Sequence, residues 1–157
     1  MTQEADRPRQ SGFSHLGLSV TDLDTTISWY CDVLGAVVTR GPFPGDRAPF
    51  SGQTANLLVG PLILDLYHHA ANGGERFEPT RTGLDHFALR ADSYADLEQW
   101  ARWLDTKGVE RSEIRETGGV GWMFDFVDPD GLQVEFLVLD KAKVSAMYTG
   151  GSVRADP

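Results

Sequence analysis

Residues 14–35, SHLGLSVTDLDTTISWYCDVLG, share their plan with residues 85–108, DHFALRADSYADLEQWARWLDTKG. Each opens on a short run of alternating apolar and polar residues, the signature of a strand with one dry face. In the first, Leu16, Leu18 and Val20 share a face, and Phe13, His15, Gly17 and Ser19 share the other. Each run then changes period. Thr21 or Asp22 is placed to cap a helix carrying Leu23, Ile27, Tyr30 and Leu34 on one stripe, with Gly35 as its stop. In the second, Ser93 is the cap, Leu97, Trp100 and Leu104 the stripe with Ala101 beside it, and Gly108 the stop.

The segments downstream of the two helices also repeat. After the first helix come a short strand, AVVTR, and a Gly- and Pro-rich segment, GPFPGDRAPFSG, expected to be a loop. Two strands, QTANLLVG and LILDLYHH, then meet at Gly60-Pro61. After the second helix come VERSEIRE, read as an edge strand, then GVGWMFDFV and LQVEFLVL, joined by the turn DPDG. The order is β-α-β-β-β, twice, at an offset of about 71 residues. The reading is α+β, with residues 12–69 as one module, 70–83 as linker and 84–140 as the second. Residues 1–11 and 141–157 are read as tails, the last of them loose from about Ser145.

The repeat aligns four polar residues. His15 overlays His86, and Asp65 in LILD overlays Glu135 in LQVE. Each sits mid-strand, opposite the aliphatic face. A single strand histidine or carboxylate is ordinarily a hydrogen-bonded or solvated residue. Glu135, however, lies in an apolar run where an unpaired carboxylate is costly. Two imidazoles and two carboxylates at repeat-related positions would converge if the halves pair into one curved sheet. That set suits zinc, iron, nickel, cobalt or manganese (Zn, Fe, Ni, Co or Mn). His68 and His69 fall outside it. His69 shares the parity of Asp65 but lies four residues on, about 13 Å along an extended strand, and His68 faces the other way.

Composition bounds the function. The 157 residues carry a formal charge of −9, which leaves no basic surface for nucleic acid and favours a small-molecule partner. The apolar residues form no membrane-length run, and MTQEADRPRQSG has no signal-peptide core, so a cytoplasmic protein is expected. The single cysteine, Cys31, excludes an internal disulfide and reads as a small helix residue turned inward.

The repeat, the opening SHLGLSVTDLDTTISWYCDVLG and the close DPDGLQVEF together resemble the vicinal oxygen chelate superfamily. That is the group of glyoxalase I, bleomycin-resistance proteins and type I extradiol dioxygenases. The resemblance spans about Phe13 to Leu139. It implies two modules whose mixed sheets form a cup, with the helices on the outer face. It further implies a divalent metal on His15, Asp65, His86 and Glu135, acting as Lewis acid on two adjacent substrate oxygens. Glyoxalase-like members carry Glu where this chain has Asp65, one methylene shorter, which leaves it as direct ligand, as water-bridged ligand or as base. Glu135 or Asp65 would shuttle the proton in lyase or isomerase chemistry. His15, His86 and Glu135 alone would satisfy a dioxygenase site. The alternative is a protein of the same fold that sequesters a small molecule, as in antibiotic resistance, without catalysis. A homodimer is expected by the same resemblance, with the modules pairing either within a chain or between chains.

Taking DPDG as the whole turn pairs Phe126 with Gln133 and Phe124 with Glu135. Trp122, Phe124 and Phe126 would then line the cup beside Glu135, unless they are core beneath the helices. On the same logic Ile63 and Tyr67 flank Asp65 as substrate-binding residues.

Overall fold

The computed structural model describes residues 12–47 and 50–150. The first module runs β1 (His15–Ser19), α1 (Leu23–Leu34), β2 (Val37–Arg47), β3 (Phe50–Val59) and β4 (Leu62–His69). The second runs β5 (His86–Arg90), α2 (Tyr94–Thr106), β6 (Arg115–Thr117), β7 (Gly121–Val127) and β8 (Gln133–Leu139), and α3 (Lys141–Gly150) comes after it. Each module builds its own four-stranded mixed sheet, in the orders β1-β4-β3-β2 and β5-β8-β7-β6. The first and last strands of each module run parallel, and the other pairs are antiparallel. The doubled architecture read from the sequence is therefore the architecture of the chain.

The helix ends are set by the residues expected to set them. Asp22 caps α1 by accepting from Thr25 N at 2.7 Å, and Gly35 ends it at φ 65°, a left-handed conformation that glycine adopts without strain. Ser93 caps α2 in the same way through Asp96 N.

The helices cover the aliphatic face of the sheets. Leu18, Val20, Leu57, Leu64 and Leu66 of the first sheet join Phe124, Phe126, Val134 and Phe136 of the second in one buried cluster, with Tyr30, Leu97 and Leu104 from the helices. The helices also tie the modules together. Trp103 Nε1 of α2 donates to Val33 O of α1 at 2.8 Å, and Trp29 of α1 lies against Phe126, 6.2 Å between ring centroids. The turn between β7 and β8 grips α1 as well. Asp130 Oδ1 accepts from Thr21 N at 3.0 Å and from the Thr21 hydroxyl, Asp130 Oδ2 from Thr26 Oγ1 at 3.3 Å, and Asp128 Oδ2 from Tyr30 OH at 3.1 Å. Burial pushes the Asp128 carboxyl above its ordinary range.

Three sequence expectations need correction. The segment from Gly41 onward is not a loop, because β2 continues through it to Arg47. An edge strand tolerates Pro42 and Pro44, since an N–H turned to solvent is not missed. The register shifts between Val38 and Arg40, and again between Arg40 and Phe43. Secondly, the chain past Leu139 continues as α3, because Asp140 Oδ1 accepts from the N–H groups of Ala142 and Lys143 and so starts a helix. Thirdly, the β7–β8 register is one residue off the expected one. Val127 pairs with Gln133, Asp125 with Glu135, and Phe124 with Phe136. Gly131, at φ 89°, adds a left-handed residue to the turn, so that Asp128 N bonds to Leu132 O and Leu132 belongs to the connection. A slip of one residue exchanges the faces of a strand. Trp122, Phe124 and Phe126 therefore lie opposite Glu135. Phe124 and Phe126 are core, stacked among Phe136 and Trp29, and half-exposed Trp122 meets Tyr94 edge-on.

Cys31 is half-buried and packs against the core, as its place on the helix suggested. No helix among the described residues is long and apolar enough to cross a membrane. The expected tail of residues 1–11 lies outside the described residues.

Candidate metal centre

The strand parity that buries the aliphatics turns the four polar residues to the opposite face. In the first module, His15 pairs with Ile63, and Asp65 with Gly17 on one side and Asn56 on the other. In the second, His86 pairs with Gln133, and Glu135 with Ala88 and Asp125. A histidine and a carboxylate thus meet on the parallel strands of each module. His15 Nε2 lies 3.6 Å from Asp65 Oδ2, and His86 Nε2 lies 3.7 Å from Glu135 Oε2.

Those separations exceed a hydrogen bond. They are close to the spacing of two donors on one ion, about 3.4 Å for a tetrahedral site with bonds near 2.1 Å. The remaining polar atoms of each pair are already engaged. Asp65 Oδ1 accepts from Asn56 Nδ2 at 2.5 Å, and Glu135 Oε1 from Gln133 Nε2 at 2.9 Å. Ser14 Oγ stands 3.2 Å from His15 Nδ1, and Asp85 Oδ1 stands 2.6 Å from His86 Nδ1. Each pair thus presents one imidazole Nε2 and one carboxylate oxygen, the usual offering of a metal half-site whose outer contacts fix ring orientation. The Asp85 hydrogen bond, aided by the charge of Glu135, holds the His86 imidazole above its ordinary pKa.

The two pairs do not meet within one chain. Among the described residues no group of three or more His, Cys, Asp or Glu side chains is placed to hold a metal. The reason is the packing of the modules through their helices, which leaves the ligand-bearing faces outward. Those faces carry exposed apolar residues beside the pairs: Val37, Leu58 and Ile63 in the first module, Val127 and Leu139 in the second. Two clefts, of about 730 and 480 Å³, lie elsewhere, and neither is lined by His15, Asp65, His86 or Glu135.

Tyr67 shares the face of Asp65, with His69 stacked on its ring at 5.9 Å. His68 turns away, its Nδ1 3.3 Å from Val20 O. Asn56, Gln133 and Asp85, which hold the candidate ligands, were not singled out from the sequence. The signal was there in part: Asp85 and Gln133 lie one and two residues from a candidate ligand, whereas Asn56 becomes visible only through strand register.

The comparisons with known proteins agree with the fold. A family model described as Glyoxalase/Bleomycin resistance protein/Dioxygenase superfamily matches residues 12–136. The chain belongs to that superfamily. The solved glyoxylase/bleomycin resistance protein/dioxygenase domain from Frankia sp. EAN1pec is 30% identical, with TM-score 0.69, covering 83% of this chain and 99% of that one. The fosfomycin resistance protein FosX from Listeria monocytogenes is 20% identical with TM-score 0.67, covering 89% of this chain and all (100%) of its own, a likeness of fold alone. Another FosX structure, of a variant, holds Mn(II) and 1S,2S-dihydroxypropylphosphonic acid. The uncharacterized protein YaeR of Escherichia coli (strain K12) is 27% identical over 122 residues, 77% of this chain and 91% of YaeR.

Proposed function

We propose that the protein is a divalent-metal-dependent enzyme of the superfamily, acting on a small substrate with two adjacent oxygens by lyase, isomerase or dioxygenase chemistry. The observation that carries this is the duplicated His–carboxylate pair at metal-donor spacing, on the same two strands of both modules. The Mn(II) held by FosX supports a metal in this fold.

The outward faces support assembly between two copies. His15 and Asp65 of one protomer would meet His86 and Glu135 of its partner, and the exposed Ile63, Leu58 and Val127 beside them would be covered in the same step. A divalent ion held by the four side chains would polarise the two substrate oxygens and stabilise charge that develops on them. The chain's own residues supply the rest. Asn56 and Gln133 leave one oxygen of each carboxylate directed at the site. Glu135, buried and free of any Lys or Arg partner among the described residues, is the group to accept a substrate proton. Ile63 and Tyr67 flank Asp65 on the same face and would contact the substrate.

Complementation tests the reading. His15→Ala and His86→Ala should each abolish tight metal binding. Co-expressed, they should recover about a quarter of the wild-type metal content, since half of randomly formed dimers carry one intact site of two. Sites built within single chains recover nothing. Wild-type protein that takes up no divalent metal would overturn the enzyme reading. The 480 Å³ cleft lined by Phe13, Leu16, Leu84 and Phe87 would then favour a protein that sequesters a small apolar compound.

A further inference from the structure

We infer that Arg40 and Thr54 form an oxyanion subsite beside the first half-site, so that the substrate carries an anionic group, a carboxylate or a phosphonate, in addition to its two metal-binding oxygens. The inference rests on the reading of His15 and Asp65 as metal ligands. It begins with a row across the first sheet. Gly17, Asp65, Asn56 and Arg40 are successive partners on β1, β4, β3 and β2. Paired residues share a face, so Arg40 stands on the face of Asp65, two strand spacings away, about 10 Å. The next row holds Ser19, Tyr67, Thr54 and Phe43.

The backbone is shaped to put Arg40 there. β2 breaks register on both sides of it. Such breaks re-aim a side chain and are frequent beside binding sites. Gly41, at φ 97°, is the next residue, and a Cβ there would stand 2.7 Å from Thr54 O, so only glycine lets β2 come this close to β3. The guanidinium lies 4.4 Å from the centroid of the Phe43 ring, which steadies its plane while leaving its N–H edge for a ligand.

Arg40 is also electrically unspent. It has no acidic partner among the described residues, in a chain with 23 acidic and 14 basic side chains. On the second sheet, by contrast, Arg115 of the edge strand β6 is ion-paired with Asp125. Asp65 is held by Asn56, which stands between it and Arg40. The second, independent sign is Thr54. This residue is only 5% exposed, and its hydroxyl is the one buried side-chain polar atom without a hydrogen-bond partner among the described residues. An orphaned buried hydroxyl is costly, and a ligand oxygen would relieve it. A guanidinium and a hydroxyl in neighbouring rows suit an oxyanion.

Two chelating probes separate the contributions. Acetohydroxamate offers two adjacent oxygens to a metal, and succinate monohydroxamate offers the same two plus a carboxylate. Isothermal titration of the Mn(II)-loaded protein should show the second probe bound about tenfold more tightly, the worth of one charge-assisted hydrogen bond. Arg40→Ala should collapse that preference to about onefold, Arg40→Lys should keep part of it, and Thr54→Val should reduce it several-fold. Equal affinity of the wild type for both probes, or a preference that survives Arg40→Ala, overturns the subsite and leaves the metal reading intact. Failure of the wild type to hold Mn(II) or acetohydroxamate overturns the metal reading and the subsite with it. Thermal melts of the three variants confirm that each is folded, which exposed Arg40 and the near-isosteric Thr54→Val permit.

Discussion

The two modules carry the same His–carboxylate pair on the same two strands, yet they hold it by different means. In the first, an amide from the neighbouring strand locks Asp65, and a neutral serine stands beside His15. In the second, an amide two residues away on the same strand locks Glu135, and a carboxylate, Asp85, grips His86. The carboxylate that lies across from Glu135, Asp125, is ion-paired with Arg115 and accepts a hydrogen bond from the Ser112 hydroxyl, whereas the residue across from Asp65 is neutral Asn56. Duplication kept the donor atoms and let their supports diverge. The His and carboxylate positions are therefore what the two halves share, and the supports are where they differ.

The strongest way to break the comparison is to remove a donor from one half. If the halves contribute equally to one ion, His15→Ala and His86→Ala should each weaken metal affinity by at least about 100-fold, beyond the 10- to 100-fold typical of losing an outer-shell partner. Competition against a chelator of known affinity reads this directly. A large loss in one variant and none in the other would mean that a single module holds the metal.

The next effect is on the junction. Asp130 accepts three hydrogen bonds from Thr21, just before α1, and Thr26 within it, while it belongs to the second module. Asp130→Ala leaves Thr21 N–H and the buried Thr26 hydroxyl without a partner, at a cost of about 3 kcal/mol. Urea unfolding should show the midpoint falling with the slope unchanged if the modules still unfold as one unit. Two separate transitions would show that this turn is what couples them.

A smaller difference separates the two imidazoles. Asp85→Asn should weaken metal affinity by about tenfold, because a carboxylate orients and polarises a ligating histidine. Ser14→Ala, which removes only a 3.2 Å neutral contact, should change it by less than about threefold. Equal effects would mean that the supports are interchangeable.

Much of this was legible in advance, and the limit is physical. The doubling, both helices with their caps, and the face of His15, Asp65, His86 and Glu135 come from local rules of period and capping that a single strand or helix obeys alone. The aromatic wall failed because it depended on register. One left-handed glycine, Gly131, lengthened the connection by one residue and moved Phe124 and Phe126 from cup to core. Composition also misled at β2, where glycines and prolines that normally mark a loop instead let an edge strand bulge beside Arg40. The divergence of the half-sites was hidden for a similar reason. Asn56 reaches Asp65 across a strand pair, and no spacing within one segment encodes that contact.

The smallest expected effect concerns Asp128, which shares its turn with Asp130. Its pKa is raised by burial, so the ionised form is disfavoured in the folded protein. Stability held by such a group is complete below the unfolded pKa and is lost as pH rises through the folded one. Asp128→Asn keeps an oxygen for the N–H groups of Asp130 and Leu132 and an amide for Tyr30 OH. It removes the charge that burial penalises. The variant should therefore match or exceed the wild-type Tm at neutral pH, by no more than about 1 kcal/mol in stability, and the difference should shrink as pH falls into the carboxylate range. A variant less stable than wild type at neutral pH, by a margin that also shrinks on acidification, would show that the ionised hydrogen bonds to the turn outweigh the burial.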